Sequence, residues 1–506
     1  MRSEQIRQGA KGKRGLSERG QATRENARVL CWLCAACLAV GLVTALSGCS
    51  RKAWQDRRES ASQEEMAAPP SEEVTIYIRT DEEESSPEAG GGQETEGGQG
   101  EAGEGQDKDQ EEAEPIELPE VYDYRKIGRA PKAGDQKELG TCWAFSSLMA
   151  LESTLLPEES LVFSADHMSR MNSFSLGQEE GGHYAMSMAY LLAWQGPVLE
   201  EDDPYGDGQS PEGLAPVRHV QEIRLLEPKD YTRIKEAVYT IGGVQSSLYT
   251  TMQDPSDADR YYNKETCGYY YPGEERSNHN LVIVGWDDHY PKEAFNQQPE
   301  GDGAFICLNS WGPDFGEEGC IYVSYYDTNI GDVNVLYSGI TDTEDYTGIY
   351  QSDLCGWVGQ LGYGRDEAYF ANAYTAEGQE RLKAVGFYAT MPGSSYEVYA
   401  AAGLTSPEEL ELDEPLAKGS MEDAGFYTVR LSKEISLTRG EKFWVAVKLK
   451  TPGAIHPVAI EYQPQDGESR VDLSDGEGYL SADGKKWVSA EQEQSCNLCL
   501  KAYTVR

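Results

Sequence analysis

The chain has 506 residues, enough for two or three domains by the usual size relation. Its formal net charge is −43, with 87 Asp and Glu against 44 Lys and Arg; so acidic a chain lacks the basic face that phosphate recognition needs, which argues against a nucleic-acid partner. Eleven cysteines, four of them before residue 50, are too few for this length to form a disulfide scaffold.

Residues 1–28 carry eight Lys or Arg against three Glu, and residues 29–46 form an uncharged apolar run of eighteen. A basic segment followed by an apolar one is the layout of an export signal; eighteen residues also approach the length of a bilayer span, so an uncleaved anchor competes. The run closes on Leu46-Ser47-Gly48-Cys49, which resembles the bacterial lipoprotein signal. That resemblance implies a signal peptide over 1–48, cleavage before Cys49 and a lipid on its sulfur, anchoring the rest of the chain outside the cell membrane. Residues 49–115 are rich in Glu, Gly, Gln and Ser, with fourteen acidic residues and one Lys between 81 and 114. They cannot bury enough apolar surface to offset backbone ordering, so they are expected to be a disordered, self-repelling tether. Residues 74–78 (VTIYI) are its only strand-like island.

From Ile116 the composition becomes globular. Residues 136–147 read QKELGTCWAFSS: Gly140 breaks the backbone, Thr141 is placed to cap, and Cys142 opens an apolar run at helical spacing that Pro157 closes. A thiol in the first turn lies at the positive end of the helix dipole, which favours the nucleophilic thiolate; the alternative is a buried structural cysteine.

The run LPEVYDYR at 118–125 together with Cys142-Trp143-Ala144-Phe145-Ser146 resembles the start of mature papain-like cysteine peptidases. Two downstream stretches match the same family in order and flanking residues: Ser277-Asn278-His279-Asn280 running into an apolar segment that ends at Gly285-Trp286, and Asn309-Ser310-Trp311-Gly312 closing a second apolar strand. The resemblance implies a two-lobe α+β fold over 116–340, with a helical lobe and a β-barrel-like lobe. It assigns Cys142 as nucleophile, His279 as base, Asn309 as orienter of the imidazole and Gln136 as the side-chain donor of an oxyanion hole. These residue types suit the chemistry. A thiolate needs an imidazole within hydrogen-bond reach, the second ring nitrogen needs an acceptor, and the tetrahedral oxygen needs preorganised donors. The family also implies that Trp311 shields the His–Asn bond, and that Gly181 and Gly182 form a substrate-binding wall, with Trp311 beside it. Residues 190–205 and 234–248 resemble the helices, turns and strand that follow in the family.

Departures are equally specific. Leu139 and Gln178-Glu179-Glu180 stand where many family members carry a bridged cysteine pair. Residues 287–302 lengthen the His-to-Asn interval and read as an enlarged surface loop. No inhibitory helical pro-region is recognisable before Leu118.

Residues 345–506 hold short alternating runs such as KAVGFY (383–388), YEVYA (396–400) and FWVAVK (443–448), with Asp483-Gly484 as a hairpin signal. They predict an all-β sandwich. The arrangement resembles the bacterial, clostridial surface-layer branch of the papain-like family, which carries a lectin-like domain after the peptidase. No cofactor is required by this reading. The acidic loop at 466–477 offers calcium ligands to the C-terminal domain, although a solvated loop is favoured on composition, and Cys496 and Cys499 read as strand packing. The expected function is a cell-surface cysteine endopeptidase acting on protein or peptide substrates, with cell-wall or surface-layer components as partners. The competing expectation is a surface adhesin or glycan-binding protein whose protease fold is inactive; a peptidoglycan amidase fits the motif contexts less well.

Overall fold

The computed structural model describes residues 76–77, 116–251, 258–463, 470–474 and 476–506. The segment expected to be an export signal, Cys49, most of the expected tether and five of the twelve residues of the acidic loop considered for calcium therefore lie outside the described residues. Among the described residues no helix is long and apolar enough to cross a membrane.

The helix Cys142–Leu155 is the spine of the first lobe. Eleven of its fourteen residues are buried, so it is wrapped by protein rather than lying amphipathic on a surface. Its buried hydroxyls are satisfied on the helix itself: Ser147 donates to Trp143 O at 2.7 Å and Ser153 to Ala150 O at 2.6 Å, so their burial costs little. Thr141 occupies the N-cap position but makes no side-chain cap; its hydroxyl is taken instead by the Tyr205 hydroxyl at 2.5 Å. Helices Ala165–Arg170 and Tyr184–Leu192 complete the lobe, the first capped by Ser164 on His167 N–H.

The second lobe is built around the strand His279–Asp287, buried at eight of nine positions. A continuous apolar run is what a strand covered on both faces needs. It pairs antiparallel with Val244–Leu248 on one side and Ala304–Leu308 on the other, and the ladder continues to Cys320–Ser324 and, beyond Val244–Leu248, to Val335–Thr341 and His219–Leu225. Antiparallel pairing brings the start of one strand beside the end of its neighbour. His279 therefore begins its strand at the sheet edge where Asn309 has just left Ala304–Leu308. The 287–302 insertion is more than a surface loop. Tyr290 and Phe295 bury against Ala304, and Tyr290 stacks on Tyr322 with ring centroids 4.5 Å apart.

The C-terminal third is the expected sandwich. One sheet runs Ala417–Met421, Ser394–Ala402, Lys442–Lys450, Glu367–Thr375, Gly478–Ser481, Val488–Ser489. Against it stand Gly348–Tyr350, Leu500–Val505, Glu380–Ala389 and Ala424–Leu437, with a smaller sheet of Gly359–Gly362, Val458–Tyr462 and Cys496–Leu498. Phe370, Leu382, Phe387, Val445, Val447, Ile460 and Leu500 fill the space between. The strand-like island of the tether pairs here, Ile76–Tyr77 running parallel to Leu361 and Gly362.

The two halves share one sheet. Glu222 to Leu225 pair antiparallel with Ala424 to Tyr427, so the ladder passes from peptidase-like lobe to sandwich without a break. Gly425 makes this possible: at φ +140° its backbone lies so close that a Cβ would sit 2.1 Å from Ile223 O. Arg233 ties the same seam, donating to Glu422 at 2.8 Å and to the largely buried Asp423 at 3.0 Å.

Candidate active site

The site lies where the start of the Cys142 helix meets the edge of the second-lobe sheet. His279 Nε2 is 2.7 Å from Asn309 Oδ1. The same oxygen accepts the Ser310 backbone N–H at 2.8 Å, which fixes the amide orientation. Nε2 must therefore carry the proton, and Nδ1 is the nitrogen left for the sulfur. Trp311 packs on the imidazole with ring centroids 4.8 Å apart, over the buried His279–Asn309 bond, where a lower dielectric strengthens it.

Of the side chains around the Cys142 thiol, His279 lowers it most. Burial pushes the thiol up, but the hydrogen bond and charge of His279, with two donors from Asn280, outweigh it and bring the thiol down to about 7. One of those donors is the Asn280 side chain, whose Nδ2 stands 3.9 Å from Sγ. Five other cysteines differ. Burial raises Cys320, Cys355 and Cys496 to about 12 and carries Cys307 and Cys499 well above the ordinary thiol value. All seven described cysteines are unbridged, so Cys142 is set apart by environment.

Gln136 is buried at 1% exposure and held at three points. Its backbone N–H donates to Ser310 O at 2.8 Å, its Oε1 accepts the Ser310 hydroxyl at 2.6 Å, and its Nε2 donates to Leu139 O at 2.7 Å. Nε2 keeps a second N–H for a ligand. Tyr205 locks the segment from below, donating to Gln136 O at 3.0 Å and packing edge-on against Phe145. Gly181 and Gly182 flank the helix start. Gly140 approaches Gly181 so closely that a Cβ on Gly140 would lie 2.9 Å from its Cα, and a Cβ on Gly182 would lie 2.5 Å from the Trp143 indole.

The structure thus brings Gln136, Cys142, His279, Asn309, Gly181, Gly182 and Trp311 to one place. Ser310, Tyr205 and Asn280 belong to it as well and were not singled out in the sequence. Ser310 sits inside the Asn-Ser-Trp-Gly stretch and Tyr205 inside the acidic run after the Tyr184–Leu192 helix, so both carried a positional signal. Asn280 carried none beyond adjacency to His279. Among the described residues no group of three or more His, Cys, Asp or Glu is gathered as a metal would require.

A thiolate beside an imidazole oriented by a carboxamide, with donors aimed at one spot, is equipped for covalent acyl transfer. Residues 118–340 match the family model of papain family cysteine protease, and residues 349–504 that of the lectin like domain. The chain carries a papain-family cysteine protease domain followed by a lectin-like domain. It is 26% identical to cathepsin K of Mus musculus over 211 residues, 40% of this chain and 58% of that protein. To cathepsin L2 of Homo sapiens it is 25% identical over 217 residues, 41% and 61% respectively. The chain thus spans about three fifths of the length of these curated relatives. Among solved structures it is similar to the clostridial cysteine protease Cwp84 after propeptide cleavage, with TM-score 0.67 and 25% identity over 76% of this chain and 99% of that one. A structure of the cysteine protease and lectin-like domains of Cwp84, a surface layer associated protein of Clostridium difficile, gives TM-score 0.67 and 24% identity over 77% and 89%. That second likeness concerns fold.

Proposed function

We propose that the chain is a cysteine endopeptidase that cleaves protein or peptide substrates at the cell surface. The observation that carries this reading is the His279–Asn309 hydrogen bond beside Cys142, whose thiol is drawn down to about 7. The Cys142 thiolate attacks the scissile carbonyl carbon, and the oxyanion that forms is held by the free Nε2–H of Gln136 and the Cys142 backbone N–H. His279 gives its proton to the leaving amine as the C–N bond breaks, leaving a thioester. Water then attacks the thioester; His279 takes a proton from it, the acid product departs, and the sulfur returns to thiolate. Asn309 keeps the imidazole in the tautomer that allows both steps.

The surface location rests on the layout of residues 1–49, the acidic tether and the surface-layer association of the similar Cwp84. In this reading Cys49 bears the lipid, and two or more buried acyl chains give stable anchoring at about 0.8 kcal/mol per CH₂. The test is digestion of denatured casein by the purified chain, with fragments read by mass spectrometry. Cleavage by the parent and none by Cys142→Ala is expected. Equal cleavage by both, or glycan binding with no cleavage by either, overturns the proposal.

A further inference from the structure

We propose that the Asn280 carboxamide is a second side-chain donor to the Cys142 sulfur, sharing with His279 the task of holding it as the thiolate. The inference rests on Cys142 being the nucleophile. Asn280 lies at the start of the His279–Asp287 strand, opposite Ser247 in the register, and is only 2% exposed. Burying a carboxamide is costly unless its polar atoms are bonded, and the hydrogen bond its side chain makes among the described residues is to Sγ, at 3.9 Å. The Asn280 backbone N–H acts in the same direction, favouring the ionised thiol. His279 on this strand and Tyr205 from the loop beneath are the titratable groups that interact with the thiol. A neutral donor at the sulfur stabilises negative charge there without competing for the proton that His279 must carry.

A donor to sulfur has two opposed effects. It enlarges the ionised fraction at low pH, and it blunts the thiolate, because nucleophilicity falls with thiol acidity along a Brønsted slope of about 0.4–0.5. Removing it should therefore make the rate profiles of parent and variant cross. A side chain needed only for packing would lower the rate at every pH.

The experiment is alkylation by iodoacetamide from pH 5 to 10, read on the Cys142 peptide by mass spectrometry, for the full chain and for Asn280→Leu, which keeps volume and loses the donor. If the acid limb rises by about one pH unit, alkylation at pH 6 falls about 3–4-fold and the plateau above pH 9 rises about 3-fold. Asn280→Ala, smaller and unable to clash, should show the same crossing and serves if the Leu variant melts early. Superimposed profiles, or an even loss at all pH values, overturn the proposal. The readout follows the sulfur and not peptide cleavage, so a chain that shows the crossing but digests nothing leaves this inference standing and removes the endopeptidase reading.

Discussion

The imidazole of His279 and the carboxamide of Asn309 meet at 2.7 Å with the amide oxygen pinned by the Ser310 N–H. The ring's orientation thus depends on a neutral acceptor that is itself held. A hydrogen bond to a group that becomes charged is worth about 1.5–3 kcal/mol. Asn309→Ala is therefore expected to lower kcat/KM by roughly 10–150-fold with little change in KM, measured on a fluorogenic peptide. An unchanged kcat would show that Trp311 and the strand suffice to orient the ring.

Gln136 can be tested while keeping its backbone and Ser310 anchors, the bond from Nε2 to Leu139 O being lost with the donor. Gln136→Glu keeps an oxygen to accept from Ser310 and replaces the donor aimed at the developing oxyanion with another acceptor. A loss of about 10²–10³ in kcat is expected, the usual consequence of removing one such donor. A change confined to KM would move Gln136 from transition-state stabilisation to substrate binding.

Glu152 is buried in the last turn of the nucleophile helix and accepts the Phe163 N–H at 2.8 Å. Burial pushes its carboxyl up to about 8 from an ordinary 4.5, with repulsion from Glu200 adding to the rise. Because the folded value lies above the unfolded one, the fold favours the neutral acid. Its contribution is complete below pH 4.5 and is lost as pH rises towards 8. Glu152→Gln, neutral at every pH, should be more stable than the parent by roughly 3–5 kcal/mol at pH 8 and should flatten the fall of Tm between pH 5 and 8. A variant whose Tm falls in parallel with the parent contradicts this.

The seam between the halves makes a different prediction. Gly425→Ala places a Cβ 2.1 Å from Ile223 O at φ +140°, which the backbone cannot absorb without breaking the pairing of Ile223 with Phe426. Stability should drop by more than about 2 kcal/mol, as for other changes at special backbone conformations. For the same reason residues 116–340 produced alone would expose the Glu222–Leu225 edge and should associate in light scattering. A monomeric, fully active fragment would show the shared sheet to be dispensable.

The parts of this molecule readable in the sequence are those written into consecutive residues. Cys142, His279 and Asn309 each sit in a local pattern, and the apolar runs around them, HNLVIVGWD and AFICL, are the strands that hold them. Gln136 was legible by its spacing from Cys142. What escaped depends on residues far apart in the chain. The pairing of 222–225 with 424–427 leaves no mark in either segment, and Gly425 reads as an ordinary glycine until Ile223 O is seen beside it. Thr141 looked like a cap because Thr before a helix usually is one; a tyrosine sixty-four residues on takes its hydroxyl instead. Tyr290 and Phe295 lie in a polar stretch whose composition hides that the insertion carries its own small core.

The central claim is that Cys142 forms the acyl-enzyme. Intact-mass analysis during turnover of a peptide p-nitrophenyl ester at pH 7 tests it most directly. One acyl group on the chain is expected, mapped to Cys142 and released by hydroxylamine as a thioester should be. An acyl group on another residue, or turnover with none detected on Cys142 even after rapid acid quenching, would contradict it.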